Sequence, residues 1–399
     1  MKSKQYSGYR SYQYLDAEDY RQFAMAPEIG RVPPYELDLS EEQRERAERL
    51  LADSLVVSLH EHLSVMPEDI SELREYERQG REVTGYEGVK VSGMDAVFEN
   101  FMDGTCTITS SAGWKWTDVL HDVGMRLCDL AHQDMIIRAE GLRDIHRAAE
   151  TGRVALIPAL ESATPVENEI DRIDVLYGLG IRMLGICYSE ANMLGSGQRE
   201  PVDGGLTYFG RRAVDRMNRL GMAIDISHAS DRTCMDVIRR SRHPVFISHT
   251  GARALWNSRG MKPDEVLTAC AERGGVIGIM AAPHTTLTEE NPRHNIESVM
   301  EHFTYCVDLV GIDSVAFGPD TLFGDHVDIH RQYSRQMSIE ESRRDVTYEE
   351  VDYVAGLENP SECFPNITRW LVKHGYSDDE IGKVLGDNIV RALAQVWVS

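Results

Sequence analysis

Short apolar runs recur along the chain, and most of them end on a polar, chemically capable residue. The first is Leu55-Val56-Val57-Ser58-Leu59-His60-Glu61-His62. Runs of this length, rich in β-branched residues, predict buried strands. The same pattern predicts strands over 105–109, 154–161, 181–188, 222–228, 244–249, 275–280 and 314–320. Between them apolar positions repeat at helical spacing. They predict helices over 118–150, 168–177, 207–219, 231–240, 263–272 and 296–309, with closing helices near 366–374 and 378–397. Ser40 followed by Glu41, Glu42 and Gln43 marks the N-terminus of a helix that leads into the first strand.

Eight strands alternating with helices predict an α/β protein, and eight is the number that closes a (β/α)8 TIM barrel. An open doubly wound sheet fits less well. It would hold the polar strand ends too far apart to meet, and the first strand lacks a glycine-rich phosphate turn. Residues 1–40 read as an N-terminal extension that packs on the surface or on a second subunit, and 41–399 as the barrel domain. The charged stretch from 63 to about 100 reads as a long insertion after the first strand, a lid or substrate wall.

Side chains alternate faces along a strand, so His60 and His62 point the same way. Later strand ends supply Glu161, His228, His249 and Asp320, and an Ile-Ser-His triplet occurs twice, at 226–228 and 247–249. In a barrel all six residues meet at the C-terminal mouth. This set predicts a two-metal hydrolase. His60, His62 and Asp320 hold one ion, His228 and His249 the other, and Glu161 bridges them with its two oxygens. Imidazole and carboxylate donors make zinc the first choice, two ions per chain, with manganese, cobalt or iron as alternatives. Water held between the ions is acidified towards hydroxide, and Asp320 stands where a general base is needed, so Asp320 and Glu161 are the catalytic candidates. His284 and His326 follow the seventh and eighth strands and are candidate substrate contacts. His121, His132, His146, His302 and His374 fall in predicted helices and read as structural or surface residues.

Composition narrows the partners. Of 399 residues, 42 are Lys or Arg and 65 are Asp or Glu, a formal net charge of -23. That argues against nucleic acid or an anionic membrane as the main partner and leaves a small-molecule substrate. The seven cysteines are scattered and form no C-x-x-C pair, which predicts reduced thiols in a cytoplasmic protein. The N-terminal residues have no apolar core of a signal peptide, and no run of apolar residues is long enough to span a bilayer.

Several longer motifs add to this picture. They are Ala159-Leu160-Glu161, Leu176-Tyr177-Gly178-Leu179-Gly180-Ile181-Arg182, Gly205-Leu206-Thr207-Tyr208-Phe209-Gly210, Met217-Asn218-Arg219-Leu220-Gly221-Met222, Asp225-Ile226-Ser227-His228-Ala229-Ser230, Ser248-His249 and Leu385-Gly386-Asp387-Asn388. In this order they resemble the renal (membrane) dipeptidase family, peptidase family M19 of the amidohydrolase superfamily, over most of 50–397. The resemblance implies a binuclear zinc hydrolase of dipeptides or N-acyl amino acids, a homo-oligomer in keeping with the family. It assigns His60 as a metal ligand, Glu161 as the bridge, His228 and His249 as ligands of the second ion and Asp320 as the catalytic aspartate. Arg259 in Ser258-Arg259-Gly260 lies near the arginine that binds the substrate carboxylate in the family, and Tyr188 and Asn192 join it as substrate-binding candidates.

The chain departs from the family pattern at three places. His60-Glu61-His62 replaces His-x-Asp, which keeps a competent ligand. Tyr188 stands where the family often has a histidine that stabilises the oxyanion, and a tyrosine hydroxyl donates without positive charge. Asp320-Thr321-Leu322-Phe323-Gly324 keeps only the first aspartate of Asp-Phe-Asp-Gly. These exchanges leave a non-peptide amide, lactam or ester as the alternative substrate, with a non-catalytic metal-binding protein the remaining alternative.

Overall fold

The computed structural model describes residues 4–101, 109, 113–334 and 348–397. Eight strands form the main path of one parallel sheet: β1 (Val57–Glu61), β2 (Ala96–Asn100), β3 (Val154–Leu160), β4 (Met183–Gly185), β5 (Ala223–Asp225), β6 (Phe246–Thr250), β7 (Val276–Ile279) and β8 (Val315–Phe317). Each pairs with the next in chain order. The ring is completed just beyond β8, where the Asp320 amide donates to His60 O (3.1 Å) and the His62 amide to Thr321 O (2.9 Å). The residue that should carry chemistry is therefore also part of the backbone closure.

Alternation along β1 decides which groups reach the interior. Val57 and Leu59 share a buried cluster with Ile389 and Leu393 of the outer helix Asn388–Val396. Ser58, His60 and His62 consequently face inward. Asn388 also fastens the start of β8, donating to Ile312 O and Val315 O at 2.8 and 2.9 Å. The C-terminal motif is thus a structural clamp. The single helix expected over 378–397 is interrupted by a π-helical turn, Lys383–Asp387.

Two expectations need correction. The strand expected over 105–109 falls, but for Thr109, outside the described residues, and the second place in the barrel belongs to Ala96–Asn100. That run hides in a polar stretch because Glu99 sits in mid-strand. It is fully buried there because the Arg126 guanidinium pairs with it. The helix expected over 118–150 is two helices, Trp116–Leu130 and Leu142–Glu150, separated by a short strand, Ile136–Arg138, that pairs beside β3. Gln133 ends the first helix. Its amide nitrogen donates to Leu130 O and Ile136 O, and its oxygen accepts from the Ile136 amide.

The N-terminal segment runs along the barrel. The Lys4 ammonium is buried against Asp95 (2.9 Å) at the entry to β2. Tyr9, Ser11 and Tyr12 converge on Asp129, and the Ala26 amide donates to Met66 O at the mouth. Phe23 and Met25 pack behind a cluster containing Leu322, Ile329 and Tyr333. Among the described residues no helix is long and apolar enough to cross a membrane, and the six cysteines are free thiols.

Candidate active site

The six expected residues converge. His60 Nε2 and His62 Nε2 lie 3.4 Å apart. Glu161 Oε1 is 3.8 Å from the first and 3.4 Å from the second, while Asp320 Oδ1 is 3.3 and 3.2 Å from them. The other carboxylate oxygen of Glu161 lies 2.8 Å from His228 Nε2, which in turn is 2.9 Å from His249 Nε2. Glu161 therefore presents one oxygen to each histidine pair. The His60 and His249 rings lie with their centres 3.9 Å apart, tilted by 53°, which ties the two halves into one cluster.

The far nitrogens of the rings explain how the near ones are aimed. Asp225, at the end of β5, accepts from the Ser227 amide and hydroxyl and from the Ser248 amide and hydroxyl, at 2.6–3.0 Å. With its proton committed to Asp225, Ser248 Oγ accepts from Nδ1–H of His249 (2.9 Å) and lies 3.2 Å from His60 Nδ1, which the Asn100 amide nitrogen also approaches, at 2.9 Å. Gln198 treats His228 in the same way. Its amide oxygen accepts from Nδ1–H at 3.0 Å, an orientation that also lets its nitrogen donate to Ser227 O and Arg259 O. The His228 and His249 rings then turn an Nε2 lone pair towards the centre, where His60 and His62 also present Nε2. Burial pushes His60, His228 and His249 below the usual histidine range, so the rings stay neutral. Burial alone would raise Asp320. The neighbouring His249, His60 and His62 imidazoles outweigh it and hold the carboxyl well below its usual range.

Asp225, Asn100, Gln198 and Glu61 were not singled out as site residues in the sequence. Asn100 Nδ2 lies 2.9 Å from His60 Nδ1, and its carbonyl 3.3 Å from His62 Nδ1. Recognising β2 would have exposed it as a polar strand end. The serine of each Ile-Ser-His triplet was visible, but its use as a relay was not. Glu61 points away from the centre and accepts from the amide and hydroxyl of Thr321, each at 2.8 Å, which pins the turn carrying Asp320. Asp320 itself has φ of +59°, a left-handed conformation that aspartate tolerates better than most residues.

A glycine keeps Glu161 in place. A Cβ on Gly185 of β4 would lie 1.7 Å from Glu161 O and 2.3 Å from its carbonyl carbon, both backbone atoms. Gly185→Ala is expected to destabilise the protein by about 3 kcal/mol, read by urea denaturation, and to lower metal content by displacing Glu161. An unchanged midpoint would contradict this packing.

The cluster forms one side of a cavity that opens to solvent. Tyr188 lines it with its ring 4.1 Å from that of His228, and His326 and His330 line it from the segment after β8. The other three candidates do not reach its wall. Asn192 is held within its own loop, donating to Ile186 O and accepting from the Leu194 amide. His284 accepts from the Val351 amide and stacks on Tyr348. Arg259 Nη1 donates to Arg199 O (3.1 Å) and Glu200 O (3.0 Å). Arg199 lines the cavity instead.

The chain is similar to known proteins in sequence and in fold. The family described as Membrane dipeptidase (Peptidase family M19) matches residues 44–330. Dipeptidase tcpJ of Claviceps purpurea (strain 20.1) is 27% identical over 278 residues, 69% of this chain and 58% of its own length. Dipeptidase aclJ of Aspergillus oryzae (strain ATCC 42149 / RIB 40) is 26% identical over 67% of this chain and 60% of its own. The match thus spans less than two thirds of either curated relative. A crystal structure of an amidohydrolase from Pseudomonas aeruginosa superposes with a TM-score of 0.69 at 26% identity, covering 88% of this chain and 99% of that one. A metallo peptidase from Rhodobacter sphaeroides, solved with a phosphinate mimic of L-Ala-D-Ala, shares the fold with a TM-score of 0.67 at 20% identity, over 86% of this chain and 100% of that one.

Proposed function

Because the chain belongs to the membrane dipeptidase family, peptidase family M19, we propose that it is a metal-dependent hydrolase that cleaves the amide bond of a dipeptide or an N-acyl amino acid. One observation carries the metal requirement. Four Nε2 atoms and two carboxylates face one another at 2.8–3.8 Å, with the outer ring nitrogens engaged by Ser248, Gln198 and Asn100. Such a convergence of lone pairs repels itself unless a cation sits among them. The His60–His62 separation of 3.4 Å also matches the ~3.3 Å that two nitrogens adopt on a tetrahedral zinc with bonds of ~2.05 Å.

His60, His62 and Asp320 would hold one ion and His228 and His249 a second, with Glu161 shared, and zinc suits this donor set. When bound, such ions supply Lewis acidity that lowers the pKa of water and polarises a carbonyl oxygen. The protein's own groups do the rest. Glu61 and the closure hydrogen bond fix the turn that carries Asp320, so its carboxylate is positioned to take a proton and deliver it to the leaving amine. Tyr188 covers the outer face of His228 and presents a hydroxyl-bearing ring to the cavity.

The test is amino-acid release from a panel of L,L- and L,D-dipeptides by the zinc-loaded protein. Chelation is expected to abolish release, and added zinc to restore it. Absence of release from every dipeptide with metal bound would overturn the peptide reading.

A further inference from the structure

A substrate with a free carboxylate needs a fixed cation in the cavity. Among the described residues lining it, Arg199 is the one arginine or lysine. Its position is built by main-chain contacts. The Arg199 amide donates to Ser189 O (2.9 Å) and the Gln198 amide to His228 O (2.8 Å), so the segment is tied directly to a cluster residue. Gly197 lets this happen, since a Cβ there would lie 2.5 Å from the Ser189 and Glu190 carbonyl oxygens. From the other side Arg259 grips the carbonyls of Arg199 and Glu200. The Arg259 guanidinium, used in this way, stays outside the cavity lining.

Topology gives the direction. Arg199 lies on the connection after β4, and β4 stands opposite β8 in a ring of eight. The segment after β8 lines the cavity with Leu322, Ile329 and Tyr333. One wall therefore carries the guanidinium, and the facing wall sets Leu322, Ile329 and Tyr333 beside His326 and His330, with the cluster between them.

Building on the hydrolase proposed above, we infer that Arg199, not Arg259, reads the substrate's carboxylate, that Arg259 is a positioning residue bracing the Arg199 backbone, and that the acyl half of the substrate lies against the wall after β8. A guanidinium fork matches a carboxylate with two parallel hydrogen bonds, which an amide in its place cannot accept.

Paired probes separate this anchor from the chemistry. Leucyl-alanine and its C-terminal carboxamide differ only in the group that Arg199 reads. Arg199→Met is expected to raise KM for the acid by about tenfold to a hundredfold and leave the carboxamide nearly unchanged, erasing the preference for the acid. Arg199→Lys keeps charge without the fork and should restore part of it. Arg259→Met should raise KM for the acid by a smaller factor, with kcat retained. Equal effects of Arg199→Met on both probes, or none on either, would overturn the assignment. Ligand-detected NMR binding to the chelated protein reads the same pair without turnover. Tighter binding of the acid that Arg199→Met removes supports the anchor even where neither probe is hydrolysed, which would count against the hydrolase reading alone. Equal binding of acid and amide by the unmodified chain overturns the anchor.

Discussion

Asp320→Asn is expected to lower kcat by about 10² to 10⁴ while most of the metal stays bound. The substitution keeps the shape of the side chain and the hydrogen-bonded turn. The Asp320 amide still closes the barrel on His60 O, and Glu61 still holds Thr321. What it removes is the negative charge, and with it the ability to accept a proton, while an amide oxygen remains at the ligand position. His60, His62, Glu161, His228 and His249 remain as ligands, so metal content by elemental analysis should change little. Glu161→Gln is the useful contrast. Its oxygens face both histidine pairs, and its loss should reduce metal content as well as turnover. If Asp320→Asn turned over at the original rate, proton transfer would have to be assigned elsewhere.

The cluster was legible because barrel chemistry collects at strand ends, and the apolar runs located those ends without any structure. His60, His62, Glu161, His228, His249 and Asp320 each follow such a run, and each reaches the centre. Residues on long connections were less legible. Whether Arg259 or His284 faces the cavity depends on hydrogen bonds to distant main chain, at Arg199 and Val351, which no local pattern encodes, and Asn192 is turned into its own loop by Ile186 O and the Leu194 amide. The missed strand has the same kind of cause. Glu99 breaks the apolar run of β2, and its partners, Arg126 on a helix well downstream and the Leu63 amide, make the burial acceptable. Asp225 lies in a recognisable motif, yet its role depends on Ser227, just after β5, and Ser248, on β6, lying side by side.

The N-terminal segment was the least legible part, and it yields the second large effect. Asp129 is fully buried and accepts from Tyr9 Oη (2.7 Å), Ser11 Oγ (2.8 Å), the Tyr12 amide (2.9 Å) and Tyr86 Oη (2.8 Å). Burial, and then the contact with Asp129, pushes the Tyr9 and Tyr86 phenols up, so both remain donors. Asp129→Ala leaves four buried donors without their acceptor. A hydrogen bond to a charged group contributes about 1.5–3 kcal/mol, and relaxation of the segment recovers part of the loss. The expected destabilisation is about 3–5 kcal/mol by urea denaturation. Limited proteolysis should cut first within residues 4–22, because three of the four donors belong to that segment. Activity should fall further than the folded fraction does. Phe23 and Met25 stand behind Leu322, Ile329 and Tyr333, so freeing the segment loosens this wall of the cavity. An unchanged midpoint together with an uncut N-terminus would show that the segment docks independently of Asp129. A shifted midpoint with kcat and KM preserved in the folded fraction would confine it to a stabilising strap.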